Sequence, residues 1–487
     1  MKDNTERDER MQVLFLCGSP KGRDSSSYAV ARYLAGFLDA DYEFIDVAEA
    51  GLSFDAGAAE PVFERIVRKM DQAAVVVWTF GAICWHAPIP LKLLWDKLFT
   101  QNKTFEGKIA LSLMSGAHFL DDYILETVQY ISEQLGFGYL GDVSADGLPG
   151  GYADYRETED ACRVLARQIN QALASGYVPC RSSAYAERKD LSALHYGDGF
   201  EVADAAAYPA GGKRLLVITG VRLEKNPAAT SIFETIRRCS GNTVELVEIE
   251  TTGVRACQLN YQCLLKDDIT CVQQDAFETI KAKMKAADGI VYIGHCASAF
   301  VDAHLQTFIT RTGSMLVMPQ LKGKYGFVVT AGGGPLGRPA ALFLDKVLRR
   351  YGVHSIAALT HNDHDAKGFP ATLQWAVRNL DQALAEQWRL ADRFTCRAEH
   401  YFMRENAARF GMIFRGLYGH GRREKIFDFP PYRLTKVLWF FLRSERMIGL
   451  LMAWVQKLTA RQREKRLKRD LARYGMGKGR EMTGVPS

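Results

Sequence analysis

At 487 residues, with 47% hydrophobic and 24% charged residues, the chain has the composition of a globular protein and excludes a low-complexity one. Its length predicts two or three domains. The formal charge of +6 divides unevenly, because residues 395–487 carry 21 Lys+Arg against 8 Asp+Glu while the remainder is net acidic. An anionic partner is therefore expected for that basic end and not for the body.

The opening residues, MKDNTERDERMQ, hold no apolar segment of the secretory kind, and ten cysteines are scattered without regular pairing. Both features predict a cytoplasmic chain with reduced thiols. Short apolar runs then alternate with helical patterns, the rhythm of parallel strands covered by helices. The first series is VLFLC (13–17), EFIDV (43–47), AVVVWT (74–79), IALSLM (109–114) and YLGDVS (139–144), with helices beginning near Ser27, Pro61, Pro88 and Asp121. Five strands in this order predict a doubly wound parallel sheet of the flavodoxin type.

The rhythm returns in RLLVIT (214–219), TVELVEI (243–249), GIVYIG (289–294), YGFVVT (325–330) and VHSIAAL (353–359). GKIALSLMSGAH (107–118) aligns with GKYGFVVTAGGG (323–334), an offset that fits duplication of a whole domain. The expected organisation is two flavodoxin-like α/β domains in tandem, 11–176 and 213–394, joined by a linker at 177–212. A basic amphipathic helical tail, 395–487, follows.

The stretch GSPKGRDSSSYAVARYL lies where the first strand hands over to its helix. Unpaired helix amides and the positive end of the helix dipole make such a place a natural anion site. Gly18 allows a tight exit, Ser25, Ser26 and Ser27 can cap the helix or donate to phosphate oxygens, and Lys21 and Arg23 add positive charge. A capped helix start with solvated serines accounts for the same residues. Neither GxxxxGK[ST] nor GxGxxG is present.

This stretch resembles the GSPR-x(n)-[ST] phosphate loop of the NADPH-dependent FMN reductases and related flavodoxin-like quinone reductases, with Lys21 where that family usually has Arg. The resemblance implies FMN as cofactor and NAD(P)H as electron donor, with Ser19, Lys21, Ser25, Ser26 and Ser27 at the phosphate. It extends to TFGAICWHAPIPLKLLWDKL, where Pro88, Leu91, Lys92 and Asp96 match, but Gly81 and Ile83 replace the usual Pro and Tyr of the turn beside the flavin ring. By position, Phe80, Gly81, Ala82 and Ile83 are expected at the ring, and Ser115, Gly116, Ala117 and His118 at its pyrimidine edge. Cys84 and Trp85 lie in the same turn, and His118 and His295 are candidates for hydrogen bonds to flavin carbonyls. The alternatives are a core-covering Trp and solvated histidines. No catalytic acid–base residue is assigned, since the cofactor carries the chemistry.

The second domain resembles a degenerate form of the iron–sulfur flavoprotein branch. It keeps Cys257, Cys263 and Cys271, but Asn260 replaces a fourth cysteine, so no metal or cluster is expected. Its phosphate loop, TGVRLEKNPAATSIF, keeps a glycine but loses the Ser-Pro-basic pattern. One competent site in an intramolecular pseudo-dimer is the arrangement this implies.

In the tail, apolar and basic residues mix at helical spacing after Pro430 and Pro431, with no run approaching the ~18 residues of a membrane span. Two readings stand: a helical hairpin packed on the α/β body, or an amphipathic element on an anionic surface, peripheral at the inner face of the membrane. Nucleic acid is disfavoured. The expected function is an FMN-dependent NAD(P)H oxidoreductase passing hydride to a quinone or other small acceptor. The alternative is a binding or scaffold protein with decayed flavin sites.

Overall fold

The computed structural model describes residues 12–52, 60–82, 86–116, 121–146, 155–181, 199–202, 211–258, 262–264, 266, 268–296, 301–332, 337–361, 368–388, 415–423, 450, 461 and 464–482. The chain divides into two units, one of residues 1–188 with 450–487, the other of residues 189–449.

In the first unit, strands β1 (Val13–Cys17), β2 (Tyr42–Asp46), β3 (Val75–Gly81), β4 (Ile109–Gly116) and β5 (Gly138–Asp146) form one parallel sheet in the order β2-β1-β3-β4-β5. The central strands are apolar on both faces because helices cover both. Alternate residues point to opposite sides of the sheet. Val13, Phe15, Val75 and Val77 therefore meet α1 (Ser26–Ala35) and α5 (Tyr155–Ser175) through Leu34, Leu165 and Ile169.

The opposite face holds Trp78, which lies edge-on to Trp95 of α3 (Ile89–Thr100) at 5.6 Å. Its indole N–H donates to Ser132 Oγ of α4 (Asp121–Gln134) at 2.9 Å. A buried indole without that acceptor would cost about 1–3 kcal/mol. Helix α2 (Glu60–Gln72) adds Phe63 to the same buried set.

The second unit repeats the plan with β6 (Arg214–Thr219), β7 (Thr243–Glu248), β8 (Gly289–His295), β9 (Tyr325–Ala331) and β10 (His354–Thr360), in the order β10-β9-β8-β6-β7. Read from the β7 edge, this is the same winding as in the first sheet, the flavodoxin order. Its helices are α6 (Pro227–Cys239), α7 (Phe277–Ala286), α8 (Ala303–Arg311), the short α9 (Gly313–Val317), α10 (Gly337–Arg350) and α11 (Phe369–Glu386). Leu373, Val377 and Leu380 of α11 pack with Ile232 and Ile236 of α6 over one face of the sheet. All ten strands fall where the apolar runs predict them, with ends displaced by a residue or two.

A separate helix, Arg415–Arg423, also belongs to the second unit. The end of the chain returns to the first. Helix 464–474 sets Leu467 and Leu471 against Gly36, just beyond α1. Asp470, almost fully buried, accepts from Tyr33 Oη at 3.0 Å, and Arg163 Nη1 lies 3.7 Å from the same carboxylate.

The chain then follows the outer edge of β2. Gly477 and Gly479 donate to the carbonyls of Gly36 and Leu38 at 3.0 and 2.9 Å, and the amides of Tyr42 and Met482 donate to Arg480 and Tyr42 carbonyls at 3.0 and 2.7 Å. A Cβ on Gly477 or Gly479 would run into the Leu38 or Ala40 carbonyl, so the alternation of glycines in GMGKGR lets the backbone approach this closely. The edge strand β2 is thereby covered along part of its length. Among the described residues no helix is long and apolar enough to cross a membrane.

Candidate functional site

Parallel winding brings the loops after β1, β3 and β4 to one edge of the first sheet. Register fixes their neighbours: Cys17 stands beside Thr79, and Gly81 beside Ser115. The edge between β1 and β3 is also where the winding reverses, the position at which open α/β sheets hold their ligands.

The β1 loop is organised by its serines. Ser19 Oγ accepts from Lys21 N at 3.3 Å, and Gly22 N donates to Ser19 O at 2.9 Å. Gly22 has φ of +51°, and a Cβ there would also press on the Asp46 carboxylate, so glycine is required. Ser25 is the N-cap of α1, its Oγ accepting from Tyr28 N at 3.1 Å and lying 3.2 Å from Ser27 Oγ. Ser19, Ser25 and Ser27 are buried, Lys21 and Ser26 are half-buried, and Arg23 is exposed. The first-turn amides of Ser26 and Ser27 have no intrahelical acceptor, as in any α-helix. They and the dipole of α1 offer an anion two donors and a partial positive charge.

Gly18 serves a different purpose from the tight exit expected of it. Its φ is not positive, and a Cβ at this position would overlap Leu91 of α3. Glycine is needed there because the helix packs directly onto the strand end. Matching Leu91 thus belongs to the frame of the site. Lys92, nearly fully buried, pairs with Asp96 one helical turn on. His86 is also buried, and burial pulls its pKa down to about 3, with Lys92 adding to the shift.

Phe80 is wholly buried within β3, so only its backbone can face the site. Gly81 and Ala82 are half-buried, and Ala82 N donates to Ser115 O at 2.8 Å, which joins the β3 and β4 loops. Gly116 comes within ordinary contact range of Ala82. Seven of these candidates, Ser19, Lys21, Ser25, Ser26, Ser27, Gly81 and Ala82, therefore lie along adjacent strand ends with Ser115 and Gly116. Ile83, Ala117 and His118 lie outside the described residues, as do Cys84 and Trp85.

Two polar groups at this edge escape the motif reading. Thr79, fully buried two residues before the end of β3, has an Oγ1 with no hydrogen-bond partner among the described residues. Asp46, beside Cys17 in the sheet, caps its own turn by accepting from Ala48 and Glu49 amides at 2.9 and 3.1 Å. Burial raises the Asp46 pKa, against the lowering effect of the bonds from the Glu49 and Ala48 amides. The only signal in sequence was position: both residues lie near the carboxyl end of a strand.

The corresponding edge of the second unit is filled by its own side chains. By strand register His295 occupies the position of Gly81, since Leu215 pairs with Gly289 as Val13 pairs with Val75. His295 is fully buried; its Nε2 lies 2.8 Å from Thr219 Oγ1 and its Nδ1 2.7 Å from Asn226 Nδ2. Thr219 donates onward to Val221 O, and Asn226 Oδ1 accepts from Ala229 N, so the ring is neutral with its proton on Nε2. Burial pulls its pKa down to about 3. The expectation that His295 meets a flavin carbonyl or solvent is corrected: it is a structural bridge across the strand ends.

The loop amides of this unit are taken as well. Leu223 N donates to Glu248 at 2.7 Å and Arg222 N to Glu250 at 3.0 Å, while Lys225 pairs with Glu250. Burial alone would raise the Glu250 pKa, but the Lys225 and Arg222 bonds outweigh it and hold the group below the usual range. Asp302 caps α8 and lies directly over Gly220, where a Cβ would overlap its carboxylate. Three carboxylates line the place of a phosphate. The second loop does not fit FMN.

The cysteine segment is described in part. Burial, with the neighbouring Cys257 and Cys271, pushes the Cys263 thiol up to about 11. Asn260 lies outside the described residues, and among those described no group of side chains is arranged to hold a metal.

The first unit's loop does fit the phosphate of FMN: among the described residues it offers buried hydroxyls and two first-turn amides without an acceptor, and β3 ends on glycine. The model of the NADPH-dependent FMN reductase family matches residues 11–135 and 220–362, more than half of the chain. An iron–sulfur flavoprotein of Archaeoglobus fulgidus is 33% identical over 118 residues, which cover 23% of this chain and 51% of that protein. The chain thus spans about half the length of that curated relative.

Among solved structures, an FMN-dependent NADH-azoreductase of Bacillus anthracis in complex with FMN is 15% identical, covering 34% of this chain and 99% of its own, with a TM-score of 0.28. An NAD(P)H:quinone oxidoreductase of Methanothermobacter marburgensis is 19% identical, covering 34% and 96%, with a TM-score of 0.26. Two matched segments, the first covering β1 to β4 and the second β7 to β10, place the chain in the NADPH-dependent FMN reductase family, whose cofactor is FMN and whose donor is NAD(P)H.

Proposed function

We propose that the protein is an FMN-dependent NAD(P)H oxidoreductase whose single flavin site lies at the β1–β3–β4 edge of the first unit, and whose acceptor is a quinone or similar small electrophile. The observation that carries this reading is the contrast at one structural position, Gly81 in the first sheet and His295 in the second. Where the strand ends on glycine, space remains beside the anion loop.

In this reading the amides of Ser26 and Ser27 and the hydroxyl of Ser19 hold the phosphate, with Lys21 and Arg23 supplying positive charge around it. Gly81, Ala82, Ser115 and Gly116 present backbone groups and little side-chain bulk to the ring, so its position is set by main-chain contacts. Bound FMN supplies hydride acceptance from the nicotinamide and its delivery to the acceptor. The residues named here bind and orient, and none needs to exchange a proton.

A visible spectrum of the purified chain, followed by NADPH oxidation with and without a soluble quinone, tests the proposal. Flavin absorbance with quinone-stimulated turnover is expected. A colourless protein that ignores added FMN would sink it and favour a scaffold. Flavin with turnover on another acceptor but none on quinones would remove the quinone half alone.

A further inference from the structure

The returning C-terminal segment turns a basic tail into a fixed surface. Helix 464–474 is pinned by Asp470 to Tyr33 and Arg163, and residues 477–482 by the backbone bonds along β2. Arg466 adds a contact with Glu159 at 3.7 Å. With its inner side committed to α1, α5 and β2, the segment points Lys465, Lys468, Arg469, Arg473, Lys478 and Arg480 to solvent, all of them exposed. Between these charges two large apolar side chains are also exposed, Tyr474 at 52% and Met476 at 73%. The tyrosine ring lies under the guanidinium of Arg163 at 4.4 Å.

We infer that this surface docks the first unit on an anionic phospholipid bilayer, with Tyr474 and Met476 entering the interfacial layer and the lysines and arginines meeting lipid phosphates. Charge complementarity requires an anionic partner. The exposed thioether and phenol favour lipid over nucleic acid: a phosphate backbone offers Met476 nothing, whereas the bilayer interface rewards an apolar tip set among cations. The sequence leading into the segment has the same character, with VLWFFL at 437–442 and MIGLLMAWV at 447–455, each followed by basic residues. Each lysine or arginine near an anionic membrane strengthens binding about fivefold. Six exposed cations suffice for salt-sensitive association without any spanning helix. The inference stands apart from the flavin chemistry, since none of these residues lies at the β1–β3–β4 edge.

The test is flotation of the full chain with vesicles of phosphatidylcholine alone or of phosphatidylcholine with phosphatidylglycerol. Binding is expected to the anionic vesicles only, reversed by added salt. The variant Lys465→Glu/Lys468→Glu/Arg473→Glu is expected to lower partitioning by more than about a hundredfold, while FMN content and melting temperature stay unchanged. Should that variant melt early, the single changes Lys468→Gln and Arg473→Gln are each expected to cost about fivefold. Met476→Gln, which leaves the charge unchanged, is expected to weaken binding to the same vesicles, which a purely electrostatic contact with nucleic acid would not explain. Equal flotation of the triple variant and the wild type overturns the inference. So does a chain that shifts an RNA or DNA oligonucleotide but leaves anionic vesicles alone.

Discussion

The two units share one winding and differ at three matched positions around the β1–β3 and β6–β8 edges. Gly81 corresponds to His295, Asp46 to Glu248, and Pro88 to Asp302. Asp46 lies against Gly22 and caps its own turn, accepting from the Ala48 and Glu49 amides; Glu248, one methylene longer, takes Leu223 N. Pro88 opens α3 so that Leu91 packs on Gly18, whereas Asp302 places a carboxylate over Gly220. The same winding therefore carries, among the described residues, a loop with uncommitted first-turn amides in one unit and a self-neutralised network in the other. Small changes in side-chain length decide which, because loop amides donate to whichever acceptor is nearest and best held.

The comparison breaks most directly at the matched glycine. Gly81→His puts the second unit's ring into the first unit's site, and FMN affinity is expected to fall at least about a hundredfold, or about 2.7 kcal/mol, by fluorescence titration. Undiminished flavin in that variant would remove the idea that bulk at this position closes the edge. The reverse change leaves the second site closed. His295→Gly keeps Glu248 and Glu250 on the loop amides, so flavin stays at one per chain. The lost bridge strands Asn226 and Thr219 and lowers stability of the second unit by about 1–3 kcal/mol, read from urea unfolding. Two flavins per chain, in the wild type or this variant, would contradict the contrast.

Smaller effects sharpen it. Gly18→Ala forces Leu91 aside and should cost about 1–3 kcal/mol by thermal unfolding, with some loss of flavin as α3 shifts. Ser25→Ala removes the α1 cap at about 1 kcal/mol and weakens FMN modestly, because the hydroxyl also fixes Ser27. A further change appears in acid. His295 has a folded pKa of about 3 against an ordinary value of 6.5. The unfolded chain therefore takes up the proton first, and stability that is whole above 6.5 declines as pH falls toward 3. His86 contributes in the same direction in the first unit. His295→Gln should flatten the acid slope of the second unit's unfolding, and an unaltered slope would mean the ring is not neutral in the fold.

Much of this was legible in the chain. The strands announced themselves because parallel strands buried on both faces are nearly continuous apolar runs, as Val75 to Trp78 and Ile290 to Ile293 are. Their alternation with helices implies the winding, and the glycine–serine loop after the first strand marks where an anion can sit. The role of Gly18 was misread, since nothing in a sequence tells whether a glycine serves a turn or a neighbouring helix. The serines of that loop stand together at the start of α1, yet their division of labour was not visible in the sequence: Ser25 caps the helix and Ser27 is buried behind it.

The sequence by itself determined the two sheets, the anion-type loop and the basic end, because periodicity, capping residues and net charge are local properties. Only the tertiary structure decided that the second loop is closed, that His295 bridges strand ends, and that residues 464–482 lie along β2. Each of these depends on contacts between residues far apart in the chain, Leu223 with Glu248, Thr219 with His295, Tyr33 with Asp470. Which donors are free to hold a ligand is settled by the fold's internal competition for hydrogen bonds, and that competition is written in distances rather than in residue order.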